Sequence, residues 1–143
     1  MSISIAATEE DILATYPLMK QLRPHLEASH YSQRIRELQA DRGYHLAVLV
    51  DEGSARACAG FRLCDSLAWG RHLYVDDLIT DEASRGKGYA GQLFDWLEEE
   101  ASRLGCAELH LDSGVHRHDA HRFYLNRKMN ITCHHFAISY DRP

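Results

Sequence analysis

Several features that mark other classes of protein are missing from this chain of 143 residues. It has no run of about 18 apolar residues, the length that a membrane-spanning helix needs. It has no basic excess, because its formal net charge is −5, whereas nucleic-acid-binding domains are usually basic. Its first residues, MSISIAATEED, lack the basic and apolar regions of a secretory signal. We therefore predict a single globular domain over residues 1–143, with neither nucleic-acid nor membrane partners.

Cysteine is scarce, with four residues, and these residues form no CxxC pair and no zinc-finger spacing. Each of them, Cys58, Cys64, Cys106 and Cys133, has apolar neighbours. We interpret them as reduced residues of the core. Together with the lack of a secretory signal, this interpretation favours a cytoplasmic protein.

The hydrophobic periodicity alternates between strand-like and helix-like segments. Strands are predicted over residues 2–7, 44–51, 55–66, 72–80, 107–112 and 131–140. Helices are predicted from the cap at Thr8 to about residue 22, over 26–40, from the glycines after residue 85 to Gly105, and over 118–127. The strands over 44–80 form an antiparallel run, and 107–112 pairs parallel to 72–80 through a right-handed crossover. The chain is thus predicted to be one mixed α/β domain.

Residues 80–93, TDEASRGKGYAGQL, place Gly86, Gly88 and Gly91 between a strand and a helix. The N–H groups of a helix's first turn, together with the helix dipole, favour a phosphate there. The nucleotide P-loop, GxxxxGK followed by Ser or Thr, is absent. The three glycines do spell GxGxxG, with Asp112 about twenty residues further on, as in dinucleotide-binding domains. That interpretation is disfavoured because the strands before the glycines look antiparallel and few residues follow Asp112.

Residues 85–90, RGKGYA, resemble the pyrophosphate motif of the GNAT superfamily of acyl-CoA-dependent N-acetyltransferases, Arg or Gln followed by x-x-Gly-x-Gly/Ala. The element order resembles that of the family over essentially the full chain. The resemblance implies a mixed, mostly antiparallel sheet of about six to seven strands flanked by about four helices, with acetyl-CoA as co-substrate. It also implies that backbone groups contact the coenzyme at Leu78, Ile79, Thr80, Arg85, Gly86, Lys87, Gly88, Tyr89, Ala90 and Gly91.

The resemblance also implies catalytic roles for two side chains. The segment DAHRFYLN resembles the family's late helix, which makes Tyr124 the proton donor to the coenzyme A sulfur. The segment YVDDLIT resembles the acidic pair of the polyamine acetyltransferases, which makes Asp76 a general base acting through water. Strand alternation places Asp76 and Asp77 on opposite faces, so one of them is expected to face the substrate. The Leu78 backbone N–H is a candidate oxyanion donor.

The histidines of the segment HRHDAH, His116, His118 and His121, are close to a dinuclear zinc motif. No carboxylate is clearly placed to complete a site, so we expect no metal. Solvated or substrate-lining roles are favoured for these residues and for His110. The general base therefore stays open between Asp76, Asp77 and a histidine.

Two departures from the family pattern fall in the last third of the chain. Met129 and Asn130 stand where most members have a Gly-Phe pair, and Arg117 stands where an Asn usually contacts the coenzyme.

The predicted function is acetyl transfer from acetyl-CoA to a primary amine in a ternary complex. A small cationic amine is slightly favoured over a protein lysine, and a homodimer is possible. The alternatives are a non-catalytic acyl-CoA sensor and, remotely, a dinucleotide-binding oxidoreductase domain.

Overall fold

The computed structural model describes residues 1–142, which form two compact units, Met1–Leu111 and the residues from Asp112 onward. The first unit contains strands β1 (Ser2–Ile5), β2 (Tyr44–Asp51), β3 (Ser54–Ser66), β4 (Gly70–Thr80) and β5 (Glu108–Leu111). Its helices are α1 (Glu9–Ala14), α2 (Tyr16–Leu22), α3 (Ala28–Asp41) and α4 (Tyr89–Arg103), with a 3-10 turn at Glu82–Ser84. The second unit contains α5 (His118–Asn126).

The strands form one mixed sheet in the order β1-β2-β3-β4-β5. The first three pairings are antiparallel, and β5 pairs parallel to β4. This arrangement confirms the predicted class, a mixed α/β fold with a mostly antiparallel sheet. Five strands are present in the described residues, and not six to seven, and five α-helices flank or follow them. No helix in residues 1–142 is long and apolar enough to cross a membrane.

Helices cover both faces of the sheet in the first unit. Helices α1 to α3 supply Ile12, Met19 and Tyr31 to a core with Leu46 of β2. On the opposite face, α4 supplies residues such as Leu93 and Leu97 to a second core with the inner strands. The apolar residues of α4 recur at helical spacing, so their burial follows from the sequence pattern.

The first predicted helix is two helices. Thr8 caps α1 as expected, since its hydroxyl accepts a hydrogen bond from Asp11 N at 3.1 Å. The helix ends at Ala14 with Thr15 as its C-cap, and α2 begins at Tyr16 with Pro17 in its first turn. Proline has no N–H to donate to the preceding turn, so it tolerates a helix start and breaks a helix interior. The prediction of a single helix to about residue 22 overlooked Pro17, which marks the start of a second helix.

The predicted strand over 131–140 is wrong. The second unit holds these residues without regular structure, and every one of them is exposed. They pair with none of the five strands. Their alternating apolar residues fit a strand, but a strand forms only where a partner edge takes up its backbone hydrogen bonds. That a single domain spans residues 1–143 stays a prediction.

The cysteine prediction needs a partial correction. All four cysteines are free, but Cys58 is buried, Cys64 and Cys106 are half-buried, and Cys133 is exposed. Cys133 lies in the exposed C-terminal segment, where its apolar neighbours form no core.

Candidate active site

The glycine-rich loop between β4 and α4 has a backbone that requires glycine at two positions. Gly86 and Gly88 have φ angles of 82° and 80°, a region that residues with a Cβ rarely adopt. Apart from the adjacent residues, nothing in the described part of the chain, residues 1–142, lies within 4 Å of a Cβ built at either position. The space beside both residues is therefore open.

Helix α4 begins at this loop without a side-chain cap, because Gly88 occupies the N-cap position. The first intrahelical bond runs from Gln92 N to Gly88 O at 3.1 Å. The N–H groups that precede it in the first turn have no intrahelical acceptor. Arg85 and Lys87 are exposed next to them. The loop therefore presents backbone donors and two positive charges, as an anion-binding site needs.

Side chains from α2 and β3 hold the start of this loop in place. The Gln21 amide donates to Asp81 Oδ1 and accepts from Glu82 N, both at 2.9 Å. The Gln21 hydrogen bond, the largest cause, lowers the pKa of Asp81. Arg56 donates to Ser84 Oγ at 3.4 Å, and Ser84 is buried. These contacts fix the chain directly before the glycines.

The Tyr89 side chain anchors the start of α4 to the sheet. Tyr89 is buried, and its hydroxyl donates to Asp51 Oδ2 at 2.6 Å. This hydrogen bond lowers the pKa of Asp51 and raises the pKa of Tyr89. Because the Tyr89 side chain is buried and hydrogen-bonded to Asp51, its backbone is the part that can bind a ligand.

Within residues 1–111, strand β4 has a free edge next to the glycine loop. Its pairing with β5 ends at Val75 and Leu111. Leu78, Ile79 and Thr80 continue the strand and pair with β3 on their other side. Within residues 1–111, no strand covers the second edge of these three residues. An extended ligand chain can therefore add to β4 there through backbone hydrogen bonds.

A β-bulge in β4 places the two aspartates differently from the prediction. Val75 pairs with Phe61 and Asp77 pairs with Gly60, so Asp76 is the extra residue of the bulge. Val75 and Leu78 both pack on the α4 side of the sheet. The two aspartates between them lie on the opposite face, the one that α1 to α3 cover in part. The expectation that Asp76 and Asp77 point to opposite faces is wrong because it assumed an unbroken alternation.

Asp77 is held by two neighbouring side chains. Tyr44 donates to Asp77 Oδ2 at 2.8 Å, and Arg23 Nε donates to Oδ1 at 3.1 Å. Arg23 also donates to the Asp76 backbone carbonyl at 3.0 Å. Burial, followed by the Asp77 charge, raises the pKa of Tyr44, which stays a donor. Asp77 and Arg23 thus hold the bulge in place.

Asp76 forms a different kind of ion pair. Both of its carboxylate oxygens accept from Arg62 of β3, at 2.7 and 2.8 Å. The pair is accessible, with exposed side-chain fractions of 38% for Arg62 and 28% for Asp76. The hydrogen bond to Asp76 raises the pKa of Arg62. No local sequence pattern marks Arg62, Arg23 or Tyr44 as members of this site, because other elements bring them to β4.

The second unit carries Tyr124 on α5, where it is half-buried. Burial is the larger influence on its hydroxyl and raises the pKa of Tyr124, while Arg117 lowers it. The rings of His118 and His121 lie 6.4 Å apart, and His121 Nε2 lies 2.8 Å from Gly114 O. In the first unit, His110 Nε2 lies 2.7 Å from Glu108 Oε1. Among residues 1–142, no group of three His, Cys, Asp or Glu side chains could hold a metal ion.

The family model that matches this chain is that of the acetyltransferase (GNAT) family, over residues 7–129. The chain belongs to this family. An uncharacterized N-acetyltransferase of Bacillus subtilis (strain 168), YhdJ, is 35% identical over 125 residues, which cover 87% of each chain. An aminoalkylphosphonate N-acetyltransferase of Salmonella typhimurium (strain LT2) is 39% identical over 51 residues, covering 36% of this chain and 33% of the relative.

Solved structures of N-acetyltransferases share the fold. A ribosomal-protein-alanine N-acetyltransferase of Brucella melitensis biovar Abortus 2308 has a TM-score of 0.83 at 19% identity, covering 98% of this chain and 100% of the other. An aminoglycoside N-acetyltransferase, AAC(6')-Iy, in complex with CoA, has a TM-score of 0.81 at 15% identity, covering 99% and 96%. The chain is thus an acyl-CoA-dependent N-acetyltransferase by family. The dinucleotide alternative fails because β4 and β5 are the one parallel pair among the described strands.

Gly88→Ala is expected to weaken acetyl-CoA binding in this GNAT protein about 5- to 30-fold. Alanine at a left-handed position costs about 1–2 kcal/mol, and relaxing that strain would turn the loop N–H groups away. Calorimetric titration measures the change. Gly105→Ala is the matched control, because Gly105 has a φ of 74° just beyond the other end of α4. Equal losses of affinity in both variants would contradict a specific role for the loop.

Proposed function

We propose that this protein transfers the acetyl group of acetyl-CoA to the primary amine of a small molecule, in a direct reaction within a ternary complex. The observation that carries the proposal is the continuity of the glycine loop with the free edge of β4. Together they offer an anion site and a strand-like edge within one short segment, residues 76–91. A coenzyme with a pyrophosphate and an amide-containing arm has matching chemistry.

The coenzyme is assigned to backbone groups of this segment. The loop N–H groups, from Arg85 to Gly91, bind the pyrophosphate, with Arg85 and Lys87 adding positive charge. Leu78, Ile79 and Thr80 pair with the amide groups of the pantetheine arm, as a missing strand would. The thioester then reaches the bulge of β4, where the Leu78 N–H can stabilise the oxyanion of the intermediate.

Asp76 is assigned the role of general base. The attacking amine must lose its proton, and a carboxylate can accept it directly or through water. Asp76 suits this role better than Asp77, because Asp77 is held by Tyr44 and Arg23. Arg62 must leave Asp76, or share it, before the carboxylate can accept a proton.

Tyr124 is assigned to the departing sulfur because it matches the tyrosine of the family's late helix. A tyrosine hydroxyl has an ordinary pKa of about 10 and a thiol one of about 8.5. Full transfer to a free thiolate would therefore be uphill by about 2 kcal/mol in water. Tyr124 is better described as donating to the sulfur while the C–S bond breaks, when the negative charge is still developing. Burial raises its pKa and keeps the hydroxyl protonated.

The preference for a small cationic acceptor loses part of its basis. It rested on the net charge of −5 and on the charges of Asp76 and Asp77, and an arginine neutralises each of these two carboxylates. The acceptors in the names of the relatives include aminoglycosides, aminoalkylphosphonates and a ribosomal protein. A small primary amine stays in the proposal because the Arg62–Asp76 pair is accessible to one.

We further propose that the protein forms a homodimer and that it is cytoplasmic. Ile131, Phe136 and Ile138 are 77%, 91% and 76% exposed, and the strand-like segment that holds them has no partner strand in residues 1–142. A second copy can cover it. The four free cysteines support a reducing compartment. Light scattering should give twice the chain mass, and a monomer at all concentrations would contradict the dimer.

Release of free CoA thiol from acetyl-CoA tests the activity. Thiol release should depend on an added small primary amine, and mass spectrometry should detect the N-acetylated amine in equal amount. The non-catalytic sensor predicts binding of acetyl-CoA with no release above the buffer rate. Release that is independent of any amine would contradict acetyl transfer to an acceptor.

A further inference from the structure

The two arginine–aspartate pairs at the β4 bulge differ in a way that bears on the acceptor. Arg23 and Asp77 are tied into the fold by Tyr44 and by the Asp76 carbonyl. Arg62 and Asp76 are joined mainly to each other, and both are accessible. The Arg62 guanidinium also lies over the Tyr74 ring, 5.3 Å from its centroid. The second pair therefore presents one positive and one negative group, in fixed positions, to a ligand.

The position of this pair links it to the reacting centre of the proposed function. Asp76 directly follows Val75, the last residue of β4 that pairs with β5. The free edge that is assigned to the acyl-carrying arm starts at this point. A ligand that touches Asp76 is therefore next to the place where the thioester would end.

The charges of the pair discriminate between classes of amine. A purely cationic amine that reaches Asp76 must pull the carboxylate from Arg62, and it leaves an unpaired guanidinium beside it. An unpaired charge at a partly buried site is costly. A zwitterionic amine avoids this cost, because its ammonium group binds Asp76 while its own anion takes over Arg62. Arginine binds carboxylates and phosphonates in a bidentate way, as it binds Asp76 here.

We propose that the acceptor is a small zwitterionic amine with a carboxylate or phosphonate close to its primary amine, which Arg62 recognises. The inference rests on the acetyl-transfer function proposed above. When the acceptor's anion replaces Asp76 at Arg62, the exchange also affects the general base. In the free protein the Asp76 carboxylate is neutralised, and the anion of the correct acceptor releases it to accept the proton of the amine.

The test is a comparison of kcat/KM for four amines with acetyl-CoA. β-Alanine and 2-aminoethylphosphonate carry the two kinds of anion, propylamine carries none, and putrescine carries a second cation. The wild type should prefer β-alanine or 2-aminoethylphosphonate over propylamine by about 10- to 100-fold, the size of one charged hydrogen-bonded contact. The better of the two zwitterions identifies the anion.

Variants at Arg62 separate recognition from folding. Arg62→Gln should reduce the ratio of kcat/KM between the better zwitterion and propylamine about 10- to 100-fold, and Arg62→Lys should restore part of the ratio. Thermal unfolding confirms that each variant folds. Equal turnover of all four amines, a preference for putrescine, or a ratio that Arg62→Gln leaves unchanged would overturn this inference alone. No acetyl-CoA-dependent turnover of any amine would overturn the proposed function with it.

Discussion

Replacing Tyr124 with Phe is expected to lower kcat about 10²- to 10⁴-fold, the usual contribution of a positioned proton donor. The change removes one hydroxyl and keeps the ring, so acetyl-CoA affinity and thermal stability should change little. Steady-state kinetics with a saturating amine measures kcat, and calorimetry measures the binding of acetyl-CoA. A variant that keeps its affinity for acetyl-CoA but loses kcat has lost a group that acts on the reacting atoms.

Tyr140→Phe is the matched control for this variant. Tyr140 lies in the same C-terminal unit and is 64% exposed, so the loss of its hydroxyl should leave kcat unchanged. An equal kcat for wild type and Tyr124→Phe would contradict the assigned role. The match of the DAHRFYLN segment to the family would then reflect packing alone.

The pH dependence of kcat provides a second check on Tyr124. A donor is active in its protonated form, which is lost as the pH rises through its pKa. Burial raises the pKa of Tyr124, so this loss moves to a pH above the ordinary value of about 10. The rate should therefore show no alkaline decline from Tyr124 below about pH 10. A decline below pH 9 that disappears in Tyr124→Phe would contradict the direction of this shift.

Gly60→Ala is expected to destabilise the fold by about 1–3 kcal/mol or more, because it overpacks a filled site. A Cβ at Gly60 would lie 1.7 Å from the Tyr44 hydroxyl oxygen and 2.2 Å from Cζ of its ring. Tyr44 is buried, so the ring cannot simply swing into solvent. The hydrogen bond from Tyr44 to Asp77, which holds the β4 bulge, should be lost as well. Thermal unfolding measures the loss of stability.

A double-mutant cycle with Tyr44→Leu tests the cause. Leucine removes the hydroxyl and the far end of the ring, so it leaves room for the added methyl group. The two changes together should cost less than the sum of their separate effects. Additive costs would show that Gly60 is needed for another reason, and an unaltered stability of Gly60→Ala would contradict the packing around Tyr44.

The local sequence was sufficient for the glycine loop and for most elements. The spacing of Leu93, Leu97 and Ala101 defines one face of α4. The run of residues 44–51 predicts β2 within its observed bounds, Tyr44–Asp51. These features depend on residues that are close along the chain. The periodicity of the apolar residues follows from the burial of one face of the element, so the sequence shows it directly.

Features that depend on distant residues were not predicted. The β4 bulge is a mismatch between two strands, so alternation along β4 alone placed Asp76 and Asp77 on opposite faces. The arginine partners of these aspartates come from β3 and from the end of α2. The segment over 131–140 has the alternation of a strand but no partner strand in the described residues. In each case the deciding contact lies outside the window in which a sequence pattern is assessed.

The most direct test of the central claim, that the loop over residues 85–91 binds the coenzyme's pyrophosphate, is a thermal-shift titration. Acetyl-CoA, S-acetylpantetheine (which lacks the pyrophosphate) and NAD are compared at equal concentration. A ligand at a hundred times its Kd adds about 2.7 kcal/mol of stability, which corresponds to a rise of several degrees in Tm. We predict a clear rise with acetyl-CoA, little with S-acetylpantetheine and none with NAD. Equal rises with acetyl-CoA and S-acetylpantetheine, or a rise with NAD alone, would contradict the account.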